Sequence, residues 1–450
     1  MNAFSAARAG LLAAVVLILV ACGDVFRPIA IPLSPTPPNP ANFHYVISLS
    51  SNGSLANPVV PASFGASTKI DVSGDSNVGV SQLGLNPVHA AILPDGADVF
   101  VANQFSDTVS FFDPSVPTKV STISLPTGSQ PVFVNTTENP HVYVASFGTG
   151  GLVIIDANND FAKIIPLNVN PATAATYHPV AVAETADSSK VYVANQGVPE
   201  ISVLTTSDQI LQKEIPTNAA NSSWIVARSD SGSTGGRVFV LNDGSVSVVN
   251  TATDTNMGNI AIDGGGNYMF YDKSQNRIFI TSPSAESVTI LNAILDLPAS
   301  VPSRIDLSAA ANVPGCPNGC SPTSVAVLPD GSRAYVSAYV LPTGGASLSS
   351  VVLEINPASQ TVTKSIPLAD APVNTASTGC DTARFRMSIA SSSDGQRIYI
   401  ANCDAGGTAI LRTSDDTLVL DVSAPAGSFA TAGNVGLPPP QNPVFILTGQ

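Results

Sequence analysis

Charge is scarce in this 450-residue chain. Asp, Glu, Lys and Arg together make up 11% of it, less than half the share usual in soluble proteins. What charge there is falls on one side: 32 acidic residues against 18 basic ones give a formal net charge of −14. Such a surface repels phosphate backbones and anionic headgroups, which argues against nucleic acid as a partner and against peripheral electrostatic docking on a membrane. Long amphipathic helices would need more Lys, Glu, Arg and Leu than the chain carries. Histidine is nearly absent (4 residues), and there is a single Trp. The sequence holds no Gly-x-Ser-x-Gly, phosphate loop or Asp-rich calcium loop, and no cofactor is implied. What is abundant is 34 Gly, 36 Pro and 44% hydrophobic residues. With many Val, Ile, Ser, Thr and Asn, this composition predicts short strands joined by turns.

The first 21 residues read as an export signal. Arg8 supplies the positive start, Ala9 to Val20 is apolar or small throughout, and the run ends in Leu19-Val20-Ala21-Cys22. It is short for a spanning helix and right for a signal-peptide core. The ending resembles the lipobox of bacterial lipoproteins, which implies lipidation of Cys22 and a membrane partner through that anchor. Six prolines from Pro28 to Pro40 make residues 22–42 a stiff, extended tether. Residues 43–450 are expected to form one domain, lipid-anchored on the extracytoplasmic side of the cell envelope. Gly23, rather than Asp, follows Cys22, which by the same resemblance favours the outer membrane.

One motif recurs seven times between about residues 87 and 423. An apolar strand is followed by a polar turn, often Asp-Gly as at Asp95-Gly96, Asp330-Gly331 and Asp394-Gly395. A second strand of continuous β-formers comes next, then a third strand ending near Asp or Asn, a tight turn and a fourth strand. The second strands start near Val99, Val142, Val191, Val238, Ile278, Ala334 and Ile398, about 40 to 64 residues apart, the period of four-stranded propeller blades. Runs such as VFVAN from Val99, VYVAN from Val191 and IYIAN from Ile398 read as strands buried on both faces. These repeats resemble the YVTN-repeat β-propellers and the neighbouring lactonase-like seven-bladed propellers. The expected fold is therefore all-β, a seven-bladed β-propeller of four-stranded antiparallel blades. Residues His44 to Leu49 or Thr68 to Val72 are expected to close the ring by adding a strand to the last blade, leaving no free sheet edge. Eight blades would require residues 43–85 to form a full blade, and no Asp-Gly turn or VAN-type strand occurs there.

Four cysteines remain after Cys22. An exported chain meets oxidising conditions, and loop placement in a propeller predicts the pairs Cys316–Cys320 and Cys380–Cys403, although two other pairings are formally open. No paired His accompanies the thiols, so no metal centre is expected. Asp156 to Asp160, DANND, has some likeness to a calcium loop but sits at an ordinary turn position. At the start of the first strands stand His89, Gln130, His178, Trp224, Asn267, Ser321 and Arg384. Together they would ring one mouth of the central channel as a small-ligand pocket. Each also has a plainer reading as a hydrogen-bonded structural residue. Arg384 would bind a carboxylate or phosphate, or pair with a nearby Asp such as Asp381.

The reading that follows is an anchored propeller that binds or scaffolds an unidentified small molecule or protein. Two alternatives stand beside it. One is a lactonase-like hydrolase of an exported sugar derivative, for which Arg384, Glu184 and His178 are the groups to test; the other is a structural surface-layer protein.

Overall fold

A computed structural model describes residues 45–51 and 64–449, apart from segments at 117–118, 138–139, 168–176, 218, 220, 229–235, 295–301, 309–312, 343–347, 369–379, 381–382, 423–428, 432–433 and 438–441. Cys22, His44, the proline tether and Asp381 lie outside the described residues.

The described residues form eight four-stranded antiparallel sheets and one two-stranded hairpin, Phe429–Thr431 with Asn434–Leu437. We number the sheets as blades. Blade 1 combines the two ends of the chain, in the order Pro443–Thr448, Tyr45–Ser50, Phe64–Asp71 and Ser76–Leu85 from the axis outwards. The inner strands of blades 2 to 8 are Pro87–Ile92, Pro131–Thr136, His178–Glu184, Trp224–Ala227, Tyr268–Asp272, Cys320–Val327 and Met387–Ser391. Each touches the inner strand of the next blade, and Pro443–Thr448 touches both Met387–Ser391 and Pro87–Ile92, so the ring shuts.

The expected count of seven blades is thus corrected to eight. The N-terminal segment does not extend the last repeat. It supplies three strands of a further blade, whose innermost strand comes from the C-terminus. In that blade the first and second strands come from opposite ends of the chain, so no hairpin links them. An Asp-Gly turn has no place there.

Hydrophobic burial explains why a ring forms at all. The second strands, such as Val99–Asn103 and Arg277–Ser282, are buried almost throughout, and the packed cores run across the seams between blades. Val88, Phe100 and Val109 of blade 2 pack with Val134, Val142 and Val153 of blade 3. At the closing seam Val46, Ile70 and Ile446 of blade 1 pack with Tyr399, Ile410 and Val422 of blade 8. At roughly 1.5–3 kcal/mol per large apolar side chain buried, a blade without neighbours would lose most of its stability.

A repeated polar link runs across the seams. Lys190 and Tyr192 of blade 4 bond Asp254 of blade 5, and Arg333 and Tyr335 of blade 7 bond Asp416 of blade 8. Arg397 of blade 8 bonds Asp75 of blade 1 through Nε, at 3.1 and 3.3 Å. All three acceptors sit at φ of +47° to +55° in the turn between third and fourth strands, a conformation Asp tolerates better than most residues. The closing seam therefore carries the same basic-residue-to-Asp link as these two internal seams, without the tyrosine.

Both expected disulfides are formed, Cys316–Cys320 and Cys380–Cys403. Asp156 spends its carboxylate on Asn158 and Asn159 of its own turn, as an ordinary turn residue does.

Candidate functional site

Five inner strands share a local irregularity that shapes the channel. In blades 1, 2, 3, 4 and 7 the strand carries Pro-x-y at or near its start, and the ladder skips the middle residue. Pro87 pairs Asn103 and His89 pairs Ala102; Pro131 pairs Ser146 and Phe133 pairs Ala145; Pro179 pairs Asn195 and Ala181 pairs Ala194. Pro322 with Ser324 and Pro443 with Phe445 repeat the pattern. A proline cannot donate to the ladder and is tolerated at bulges. A bulge re-aims the next side chain and leaves the skipped residue's backbone groups to find other partners.

Arg384 is one such partner. It lies in the segment leading into blade 8, and its guanidinium reaches the inner strands on the far side of the ring. Nη1 donates to the carbonyls of Val180 and Val132 at 2.8 and 3.4 Å, and Nη2 donates to that of Ser223 at 2.7 Å. Val132 and Val180 are the skipped residues of blades 3 and 4. In blade 7 the skipped residue is Thr323, and its carbonyl accepts from Asn267 Nδ2 at 2.7 Å.

Aromatic rings pack around this crossing side chain. The guanidinium carbon lies 4.5 Å from the Trp224 ring centre, 5.5 Å from Phe133 and 5.9 Å from Phe385, within cation–π range. His89 stacks on Phe133 at 4.1 Å and meets Phe445 at 4.4 Å. Tyr268 lies 4.8 Å from Trp224 and 5.3 Å from Phe385. His89, Phe133 and Phe445 are each the residue just after a bulge. The end of the channel where inter-blade segments meet is thus lined by rings from blades 1, 2, 3, 5 and 6 and by the Arg384-Phe385 pair.

The electrostatics are one-sided. Among the described residues no carboxylate forms an ion pair with Arg384, and its side chain keeps part of its surface open to solvent. Burial works against its charge. Burial and the neighbouring guanidinium hold His89 well below the usual histidine range, so its ring is neutral. Burial raises the Tyr268 hydroxyl to about 12, with Arg384 opposing.

Of the residues expected at the channel mouth, His89, Trp224 and Arg384 come together here. The others take separate places. Gln130 is exposed at φ +47°, its N–H bonded to Asp107. His178 stacks on Phe147 and places Nδ1 2.8 Å from the Phe147 carbonyl. Asn267 serves Thr323 and accepts from Thr281, and Ser321 Oγ donates to the Pro283 carbonyl. Reasoning from the sequence passed over Phe133, Tyr268, Phe385 and Phe445. The signal for two of them was the Pro-x-aromatic start of the strand, shared by Pro131 to Phe133 and Pro443 to Phe445.

No family model and no curated protein matches the chain. Solved structures do. Hydrazine synthase of Kuenenia stuttgartiensis aligns at 18% identity over 73% of this chain and 96% of its own, with a TM-score of 0.51. The dihydro-heme d1 dehydrogenase NirN, solved in complex with DHE, aligns at 13% identity over 85% and 73%, with a TM-score of 0.62. U3-55K aligns at 11% over 70% and 88%, with a TM-score of 0.50. Likeness at these identities establishes a β-propeller and nothing finer, because propellers host unrelated functions.

Proposed function

We propose that the chain is an extracytoplasmic propeller of the YVTN-repeat kind, lipid-anchored through Cys22, that binds or scaffolds rather than catalyses. Its binding region is the end of the ring where inter-blade segments and Arg384 meet. The two disulfides fit an oxidising compartment, and the leader, Cys22 and the proline tether fit a protein held off a membrane. Gly23 favours the outer membrane.

One observation carries the preference for binding over lactone hydrolysis: the groups such a reaction would recruit do not converge. His178 opens its strand and Glu184 ends it, six residues and roughly 20 Å apart at strand rise. His178 is occupied by a backbone carbonyl, and Arg384 by three. A general base must stand within hydrogen-bond reach of its proton, and these three groups surround no common point.

The test is a panel of sugar lactones offered to the purified mature protein. The reading expects no turnover above buffer. Turnover that falls on changing Glu184→Gln or His178→Ala would overturn it. The anchor is tested separately: metabolic labelling with an acyl-chain probe should mark the wild type and not Cys22→Ser.

A further inference from the structure

Three hydrogen-bond donors stand around the indole of Trp224 with no acceptor among the described residues. Arg384 uses three N–H bonds on carbonyls, and no described residue engages its Nε–H or second Nη2–H. Tyr268 is partly exposed, and its hydroxyl bonds no described residue. His89, 6.1 Å from Trp224 between ring centres, receives the Val134 N–H on Nδ1 at 3.3 Å. Its single proton as a neutral ring is thereby placed on Nε2, which also bonds no described residue. The walls between these donors are the rings of Phe133, Phe385 and Phe445.

A site with two N–H donor groups, one hydroxyl, one positive charge and aromatic walls selects by simple rules. Cations and ammonium groups meet the like charge of Arg384 and, among the described groups, only the Tyr268 oxygen as an acceptor. A sugar needs donors and acceptors alternating. A phosphate dianion would bring a second negative charge with no counter-charge to meet it. A carboxylate brings one charge and two acceptor oxygens that suit adjacent N–H bonds of a guanidinium.

We propose that this end of the channel is a receptor for the carboxylate of a small, ring-bearing monoanion. Arg384 is the charge partner, Tyr268 and His89 are the supporting donors, and the aromatic rings hold the apolar part. This rests on the binding reading above and adds the ligand's chemistry.

Trp224 is the only tryptophan in the chain, so its emission reports on this site alone. The experiment titrates benzoate into the mature protein and follows indole fluorescence, with inorganic phosphate and chloride at matched ionic strength. Benzoate is expected to give a saturable change, and phosphate and chloride none. Arg384→Met should abolish the change. Since that variant also removes a crossing side chain, Tyr268→Phe is the decisive one: it should weaken benzoate about tenfold, as loss of a hydrogen bond to a charged group does, without moving the thermal midpoint. An unsaturable response shared with chloride, phosphate saturating below benzoate, or Tyr268→Phe binding like the wild type would each overturn the proposal. Lactone turnover would instead remove the binding reading, whatever benzoate does.

Discussion

Removing the Cys380–Cys403 crosslink as the double variant Cys380→Ala with Cys403→Ala should destabilise the ring by about 3.4 kcal/mol. The bridge closes a loop with a sequence separation of 23, and loop-closure entropy for that length is about 11 cal/mol/K. The loop contains Arg384, Phe385 and the first two strands of blade 8, so the same bond restrains the segment that crosses the channel. Cys316–Cys320 closes a separation of only 4, for which the same relation gives about 1.9 kcal/mol. Unfolding entropy near 2.1 cal/mol/K per residue over roughly 400 residues converts these to midpoint shifts of about 4 °C and about 2 °C. Calorimetric melts of the two double variants measure both. Cys380 and Cys403 are each 1% exposed, so dithiothreitol should leave their bond intact until the protein is unfolded, as alkylation and mass measurement would show. Equal shifts for the two variants, or a larger shift for the short loop, would refute the reasoning.

Two further outcomes are expected. Asp75→Asn keeps a side chain that tolerates φ +47° but removes the charge facing Arg397, a pair 12% and 21% exposed; it should cost about 1 kcal/mol, read from the urea midpoint. Glu214 is pushed up to about 8, chiefly by burial, from an ordinary 4.5. A group whose folded value is raised stabilises fully below its unfolded value and loses that contribution as pH rises, so wild-type stability should fall between pH 4.5 and 8 relative to Glu214→Gln. The next blade already uses the neutral form: Ser247 donates to Asn259 where Ser202 donates to Glu214. Urea titrations at several pH values compare the two proteins.

The repeats made strand order, the buried second strands and both disulfides legible, because each depends on residues close in sequence or on a fixed place in the repeat. The eighth blade escaped for a specific reason. Its marks were sought in an Asp-Gly hairpin and a VAN strand, yet the hairpin cannot exist where the chain ends meet. The informative marks were elsewhere. Pro443-Val444-Phe445 repeats the start of Pro87-Val88-His89 and Pro131-Val132-Phe133. The turn DVSGDS at 71–76 repeats the form of DANNDF at 156–161. The reach of Arg384 was not legible in any segment, because its acceptors are carbonyls freed by bulges on the far side of the ring. Arg384 does lie beside Trp224, whereas Gln130, His178, Asn267 and Ser321 are held by neighbours that only the assembled blades bring near.

The claim on which the rest depends is that the two chain ends build one blade. Native-state hydrogen exchange resolved by peptide tests it directly. The amides of Val444 to Thr448 and of Tyr45 to Ser50 should exchange as slowly as those of Val142 to Val144 in an internal blade, opening only with global unfolding. Fast exchange in both terminal segments, with the internal blades still protected, would mean a ring of seven blades with loose ends and would contradict the account.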